Sequence, residues 1–150
     1  MVNRRYTLSK EERLSWKRYI DLLFAKGQSF VAFPLRVVYL PVEESVAPVS
    51  ILVSVPKKKF KRAVKRNLIK RQVREAYRIH KYTLVDPLTI QSKHLLVAFL
   101  YLDKETHPFS MIEKAMVKAL GILSNKEECA NFLHTFSCYP FIFTSIVFPR

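Results

Sequence analysis

The stretch from Lys57 to Lys81, KKKFKRAVKRNLIKRQVREAYRIHK, constrains this chain more than any other. Twelve of its twenty-five residues are Lys or Arg and only Glu75 is acidic, so it carries +11 of the formal +14. The other 125 residues are close to neutral, with a surplus of only +3. From Ala63 onward the segment is amphipathic at about 100° per residue. Leu68, Ile69, Gln72, Val73, Ala76 and Ile79 share one arc, while Arg66, Lys70 and Arg74 repeat at i, i+4 and i+8 on the other, with Asn67, Arg71 and Arg78 beside them. The pattern predicts a surface helix that buries the first arc and projects the second.

Such a helix is under electrostatic load. Like charges at i, i+4 cost roughly 0.2–0.5 kcal/mol per pair, and the ridge contains several such pairs. Successive ridge residues lie about 6 Å apart along the axis at roughly 1.5 Å rise per residue, close to the spacing of phosphates along a nucleic acid strand. A run so nearly of one sign points to phosphate binding rather than to a solvated face. The charge pattern suits a folded RNA or a DNA major groove equally well. A DNA-binding basic helix would want a zipper or a helix-turn-helix partner, and no leucine heptad follows Lys81, so DNA is not the expected partner.

The flanking sequence predicts one α+β domain in the order α-β-β-α-β-α, a small sheet with helices packed on it. Arg4, Arg5 and Tyr6 are expected to be mobile. Ser9 to Glu12 reads as a capping box opening a helix to about Lys26, closed by Gly27 and carrying Trp16, Ile20, Leu23 and Phe24 on one face. Phe33 to Leu40 reads as a strand with Leu35, Val37 and Tyr39 to one side and Arg36, Val38 and Leu40 to the other. Pro41 to Pro48 should link it to an antiparallel strand, Ile51 to Val55. Tyr82 to Lys93, with Asp86-Pro87, reads as a loop. His94 to Tyr101 is apolar on both faces and so belongs at the centre of a sheet. Pro108 should open a last helix with Phe109, Ile112, Met116, Leu120 and Leu123 inward. Residues 124–150 show no period and read as a C-terminal extension to a domain at 1–123; the apolar run Tyr139 to Phe148 is too short to span a bilayer as a helix.

Composition excludes several classes of function. Cys129 and Cys138 form no C-x-x-C and have no His pair at ligand spacing, so neither a disulfide framework nor a zinc site is expected. No apolar run follows Met1, which argues for the cytoplasm and against a membrane. A nuclease acting alone would need clustered carboxylates or a His pair. The acidic residues are scattered, Glu43-Glu44 sits among prolines, and His80, His94, His107 and His134 are apart. No catalytic and no metal-binding protein residue is expected, and the chain reads as a binding module.

The string Ala63-Val64-Lys65-Arg66-Asn67-Leu68-Ile69-Lys70-Arg71, followed by Arg74-Glu75-Ala76-Tyr77-Arg78, resembles the signature helix of the protein subunit of bacterial ribonuclease P, and Val55-Pro56-Lys57-Lys58 resembles the strand end before it. The resemblance runs from about Tyr6 to Leu123. Two departures stand out: Leu68 occupies the place of a family Arg, and Phe60-Lys61-Arg62 replaces a Gly and adds a residue at the turn into the helix. The resemblance implies a fold like the second domain of a ribosomal small-subunit protein. It further implies a subunit that helps a catalytic RNA remove the 5′ leader of precursor tRNA, with Mg²⁺ held mainly by that RNA. By the same resemblance Lys57, Lys58, Lys65, Arg66, Asn67, Lys70, Arg71, Arg74 and Arg78 would contact RNA. Phe24, Val37 and Tyr39 would line a cleft for the single-stranded leader. A protein of similar shape that binds ribosomal RNA, with no part in tRNA cleavage, is the rival reading.

Overall fold

The computed structural model describes residues 4–136, with side-chain surroundings to Lys126; the expectations for the two cysteines, His134 and Tyr139 to Phe148 lie outside it. The described chain is α+β. Four strands, β1 (Gln28–Ala32), β2 (Leu35–Val42), β3 (Val49–Ser54) and β4 (His94–Tyr101), form one mixed sheet in the order β1-β2-β4-β3. Four helices pack on it: α1 (Lys17–Lys26), α2 (Ala63–His80), α3 (Tyr82–Ile90) and α4 (Phe109–Phe136).

Alternation along the strands divides the core in two. Leu35, Val37, Tyr39, Val97 and Phe99 point to a large core closed by Ile69, Val73, Ala76 and Tyr77 of α2, Leu84 and Leu88 of α3, and Ile112, Met116, Leu120 and Leu123 of α4. Val38, Leu96 and Ala98 point the other way, to a smaller core covered by Leu14 and by Leu23 of α1. Strand β4 is buried from both sides and sits in the interior of the sheet, as its unbroken apolar sequence requires. It lies between β2 and β3, antiparallel to the first and parallel to the second. Val49 to Ser54 is thus not the neighbour of β2.

Several local expectations are revised. Ser9 and Glu12 do exchange capping-box bonds, Ser9 N–H to Glu12 Oε2 at 2.9 Å and Glu12 N–H to Ser9 Oγ at 3.3 Å, yet no helix follows. The next residues pair instead with β3, where Leu14 N–H donates to Ile51 O and Ile51 N–H to Glu12 O, both at 2.8 Å. The helix therefore starts at Lys17, and Trp16 at its N-cap is 69% exposed rather than packed. Gly27 has an extended backbone. Its smallness matters because a Cβ there would lie 2.2 Å from Leu23 O.

Strand β1 precedes the expected strand, joined to it by a tight turn at Phe33-Pro34, whose peptide is cis. The expected loop after Lys81 contains α3 despite Pro87, because Leu84 and Leu88, one turn apart, are fully buried. Residues 4–6 are tied down: Arg4 pairs with Asp86 at 2.8 Å, Tyr82 Oη donates to Arg5 O, and Arg78 donates to Tyr6 O. Helix α4 runs unbroken past Leu123 to Phe136, although the sequence after 123 shows no helical period.

Candidate nucleic-acid interface

Helix α2 is amphipathic as its sequence demands, with its inner face rotated from the expected arc. Ile69, Val73, Ala76 and Tyr77 are buried and centre that face near Val73. Leu68 lies about 140° from Val73 at about 100° per residue and is 49% exposed. The residue standing where the family carries Arg is thus on the outside. Val64, one turn earlier, is exposed too, alongside Asn67 and Arg71.

The cations fall into two groups. Arg66, Lys70, Arg74 and Arg78 drift by about 40° per step, run along one flank and are half-buried, whereas Lys57, Lys58, Lys65 and Arg71 are exposed. Arg66 is committed to the fold, since its Nη1 donates to Phe60 O and Lys61 O, both at 2.7 Å, and so braces the turn into the helix. Arg78 forms a two-pronged contact with Glu75, at 2.9 and 2.5 Å. That contact holds the Glu75 carboxyl below its ordinary range and raises the guanidinium. Among the described residues, Lys57, Lys58, Lys65, Arg66, Lys70, Arg71 and Arg74 form no ion pair with a carboxylate. Their positive potential is therefore uncancelled within the described chain.

Lys81, the last cation of the run, behaves oppositely. It is 5% exposed and donates to Glu12 Oε1 at 2.7 Å and to Thr7 O at 2.6 Å, holding the N-terminal segment to the α2–α3 junction. Lys59 is likewise bound, to Leu102 O.

The residues expected to line a cleft separate. Val37 and Tyr39 are buried in the large core, and Tyr39 Oη donates to Gln28 Oε1 at 2.7 Å while the Lys126 ammonium sits 5.2 Å from the ring centroid. Phe24 is 49% exposed on α1, which packs on the opposite side of the sheet. The strand residues on the α1 side are the intervening ones, Arg36, Val38 and Leu40. Register puts Val31 beside Arg36, and both are exposed. The alternation Leu35-Arg36-Val37-Val38 already separated these two sets, although it could not say which side a helix would leave open.

The histidines are dispersed. His80 contacts Glu113 at 2.9 Å, His94 contacts Ala47 O, and His107 contacts Asp103 at 2.5 Å, lowering the Asp103 pKa. Among the described residues no group of three or more His, Cys, Asp or Glu could hold a metal ion, and no helix is long and apolar enough to cross a membrane.

Residues 8–124 match the family model for Ribonuclease P. The chain belongs to the ribonuclease P protein family. The ribonuclease P protein component of Porphyromonas gingivalis strain W83 is 48% identical over 116 residues, covering 77% of this chain and 85% of that one. The component of Picosynechococcus is 32% identical over 75% of this chain and 93% of its own. The Staphylococcus aureus RNase P protein superposes with a TM-score of 0.59 at 25% identity, over 75% of this chain and 95% of that one. The Thermotoga maritima RNase P protein, at 22% identity and a TM-score of 0.58, shares the fold over 72% and 94%.

Membership makes this chain a subunit of ribonuclease P, an endoribonuclease whose catalyst is RNA, and places it in the 5′ processing of precursor tRNA in association with the ribonuclease P RNA. The reading as a ribosomal RNA-binding protein with no part in tRNA cleavage falls away.

Proposed function

We propose that this subunit grips the ribonuclease P RNA with the unpaired cations of α2 and of the turn before it, and guides the single-stranded 5′ leader of precursor tRNA along the sheet face beside α1. The observation that carries the first half is the absence of carboxylate partners for Lys57, Lys58, Lys65, Lys70, Arg71 and Arg74 among the described residues. Asn67 and Arg71 on the outer crest donate to RNA directly. Lys70 and Arg74 reach phosphates from the flank, and Arg66 and Arg78 divide their donors between the fold and the RNA.

For the leader, Phe24 offers an exposed aromatic face on which bases stack without strong sequence preference. Arg36, exposed on the same side of the sheet, supplies a phosphate contact. Val37 and Tyr39 serve the leader indirectly, as the packed floor of the strand that presents Arg36. Mg²⁺ would be held mainly by the RNA subunit and would supply the activated water for hydrolysis, with no described protein residue assigned to it. The protein's cations lower the repulsion between two polyanions, so catalytic RNA and substrate associate at lower Mg²⁺. We assign the subunit's work to the cytoplasm.

Reconstitution tests the reading. The full chain is mixed with a bacterial ribonuclease P RNA and precursor tRNA at limiting Mg²⁺, and 5′ cleavage should rise. Leader-bearing tRNA should bind the holoenzyme more tightly than leaderless tRNA. Absence of any gain would overturn the assisting role, and equal affinity for the two tRNAs would overturn the leader path alone.

A further inference from the structure

The turn into α2 and the loop after β4 together enclose a basic cleft. Lys59, Lys61, Arg62, Lys65 and, from the loop after β4, Lys104 surround a volume of about 460 Å³. Small-ligand sites span roughly 300–1,000 Å³, so the cleft has room for a phosphate with its ribose. One carboxylate, Glu105, lines it against five cations, and among the described residues no ion pair joins Glu105 to any of them. Cations this close repel one another, and burying an anion between them relieves that repulsion.

The cleft is framed by bonds within the fold. Lys59 is fastened to Leu102 O, and Arg66 braces Phe60 O and Lys61 O from behind. These two cations fix the wall. The side chains of Lys61, Arg62 and Lys104 remain exposed with no hydrogen-bond or ion-pair partner among the described residues. Helix α2 opens beside them with no side-chain cap at Arg62 and no acidic residue in its own first turn, so its positive end adds to the charge of the cleft. Two segments distant in sequence, 59–65 and the β4–α4 loop, thus converge on one anion-sized space.

We infer that this cleft is a phosphate-binding site for RNA, with Arg62 and Lys104 as its principal free ligands, separate from the crest of α2. The inference rests on α2 being the RNA-facing element. The phosphate comes either from a backbone linkage or from a 5′ end.

The test uses the full chain and inorganic pyrophosphate, followed by isothermal titration calorimetry. The wild type should bind with a saturable site. The double variant Arg62→Ala/Lys104→Ala should weaken it by about tenfold or more, the loss expected for charge-assisted hydrogen bonds. A charge-matched control, Lys10→Ala/Lys118→Ala, should weaken it less than about threefold, as remote screened charges do. Comparison of 5′-phosphorylated with 5′-hydroxyl tetranucleotides then separates the sources. A preference for the phosphorylated form that disappears in Arg62→Ala/Lys104→Ala assigns a terminal phosphate. Equal binding of both forms that falls in the same variant assigns a backbone phosphate. No saturable pyrophosphate binding, or equal weakening in both double variants, would overturn the site. Stimulation of tRNA cleavage by the wild-type chain, measured separately, would then still stand.

Discussion

Lys81 and Arg71 lie ten residues apart in one basic run and do opposite work. Lys81 is buried against Glu12 and Thr7 and fastens the N-terminal segment, whereas Arg71 stands exposed and forms no ion pair among the described residues. The two sides of the sheet differ in the same way. Tyr39 is enclosed under α4, and Phe24 on the other side faces solvent. Residue type alone does not separate a structural cation from a binding one, nor a core aromatic from a stacking platform. The separation comes from which neighbours the topology supplies.

The strongest way to break this contrast is to remove Lys81. Lys81→Ala leaves Glu12 without its partner at a site where the two side chains are only 6% and 17% exposed. Loss of one member of such a pair costs about 3–5 kcal/mol, which urea denaturation would register. The salt dependence of RNA binding by the folded variant should stay as in wild type. A stability within experimental error of wild type would show that Lys81 is not structural.

Phe24→Ala sharpens the contrast between the two sides of the sheet. It should weaken binding of leader-bearing tRNA by about 1–3 kcal/mol and leave leaderless tRNA unaffected in a competition assay. An equal loss for both substrates would move Phe24 out of the leader path.

A smaller effect is expected at Leu68. Because it is half exposed, Leu68→Arg should change stability by no more than about 0.5 kcal/mol. If the crest faces RNA, the same change should steepen the salt dependence of binding by up to about 0.7–0.9 log units. An unaltered slope with intact affinity would turn that crest away from the RNA.

The smallest effect is at the half-buried Asp103–His107 contact. The hydrogen bond from His107 holds the Asp103 pKa below 3.8. Its stabilisation is therefore present above that ordinary value and is lost as pH falls through the lowered one. The stability difference between wild type and Asp103→Asn should be measurable at neutral pH and vanish in strong acid. A difference that grows on acidification would reverse the sign.

Much of the architecture could be read directly from residues. Continuous apolar sequence put His94–Tyr101 in the interior of the sheet, the i, i+3, i+4 spacing marked Ile112, Met116, Leu120 and Leu123, and period-two alternation sorted Leu35 to Leu40 correctly. The failures have physical causes. Ser9 and Glu12 make the local bonds of a helix start, but Leu14 pairs instead with Ile51 of β3, far away in sequence. Asp86-Pro87 looks like a break, yet burial of Leu84 and Leu88 outweighs it. On α2 the apolar Leu68 suggests an inward position, yet Tyr77 takes the buried face with Val73. The unpaired cations were legible as a charge excess; the commitments of Lys59, Arg66 and Lys81 were not, since each depends on a carbonyl or carboxylate distant in sequence or outside the helix.

The most direct test of the whole account is the slope of log K against log salt for the chain binding a bacterial ribonuclease P RNA, compared between wild type and Lys70→Ala/Arg71→Ala/Arg74→Ala. With three phosphate contacts removed, the slope should flatten by about 2–3 log units per decade of salt while stability is nearly unchanged. Parallel lines for the two proteins would contradict the claim that the uncancelled charge of α2 is what holds the RNA.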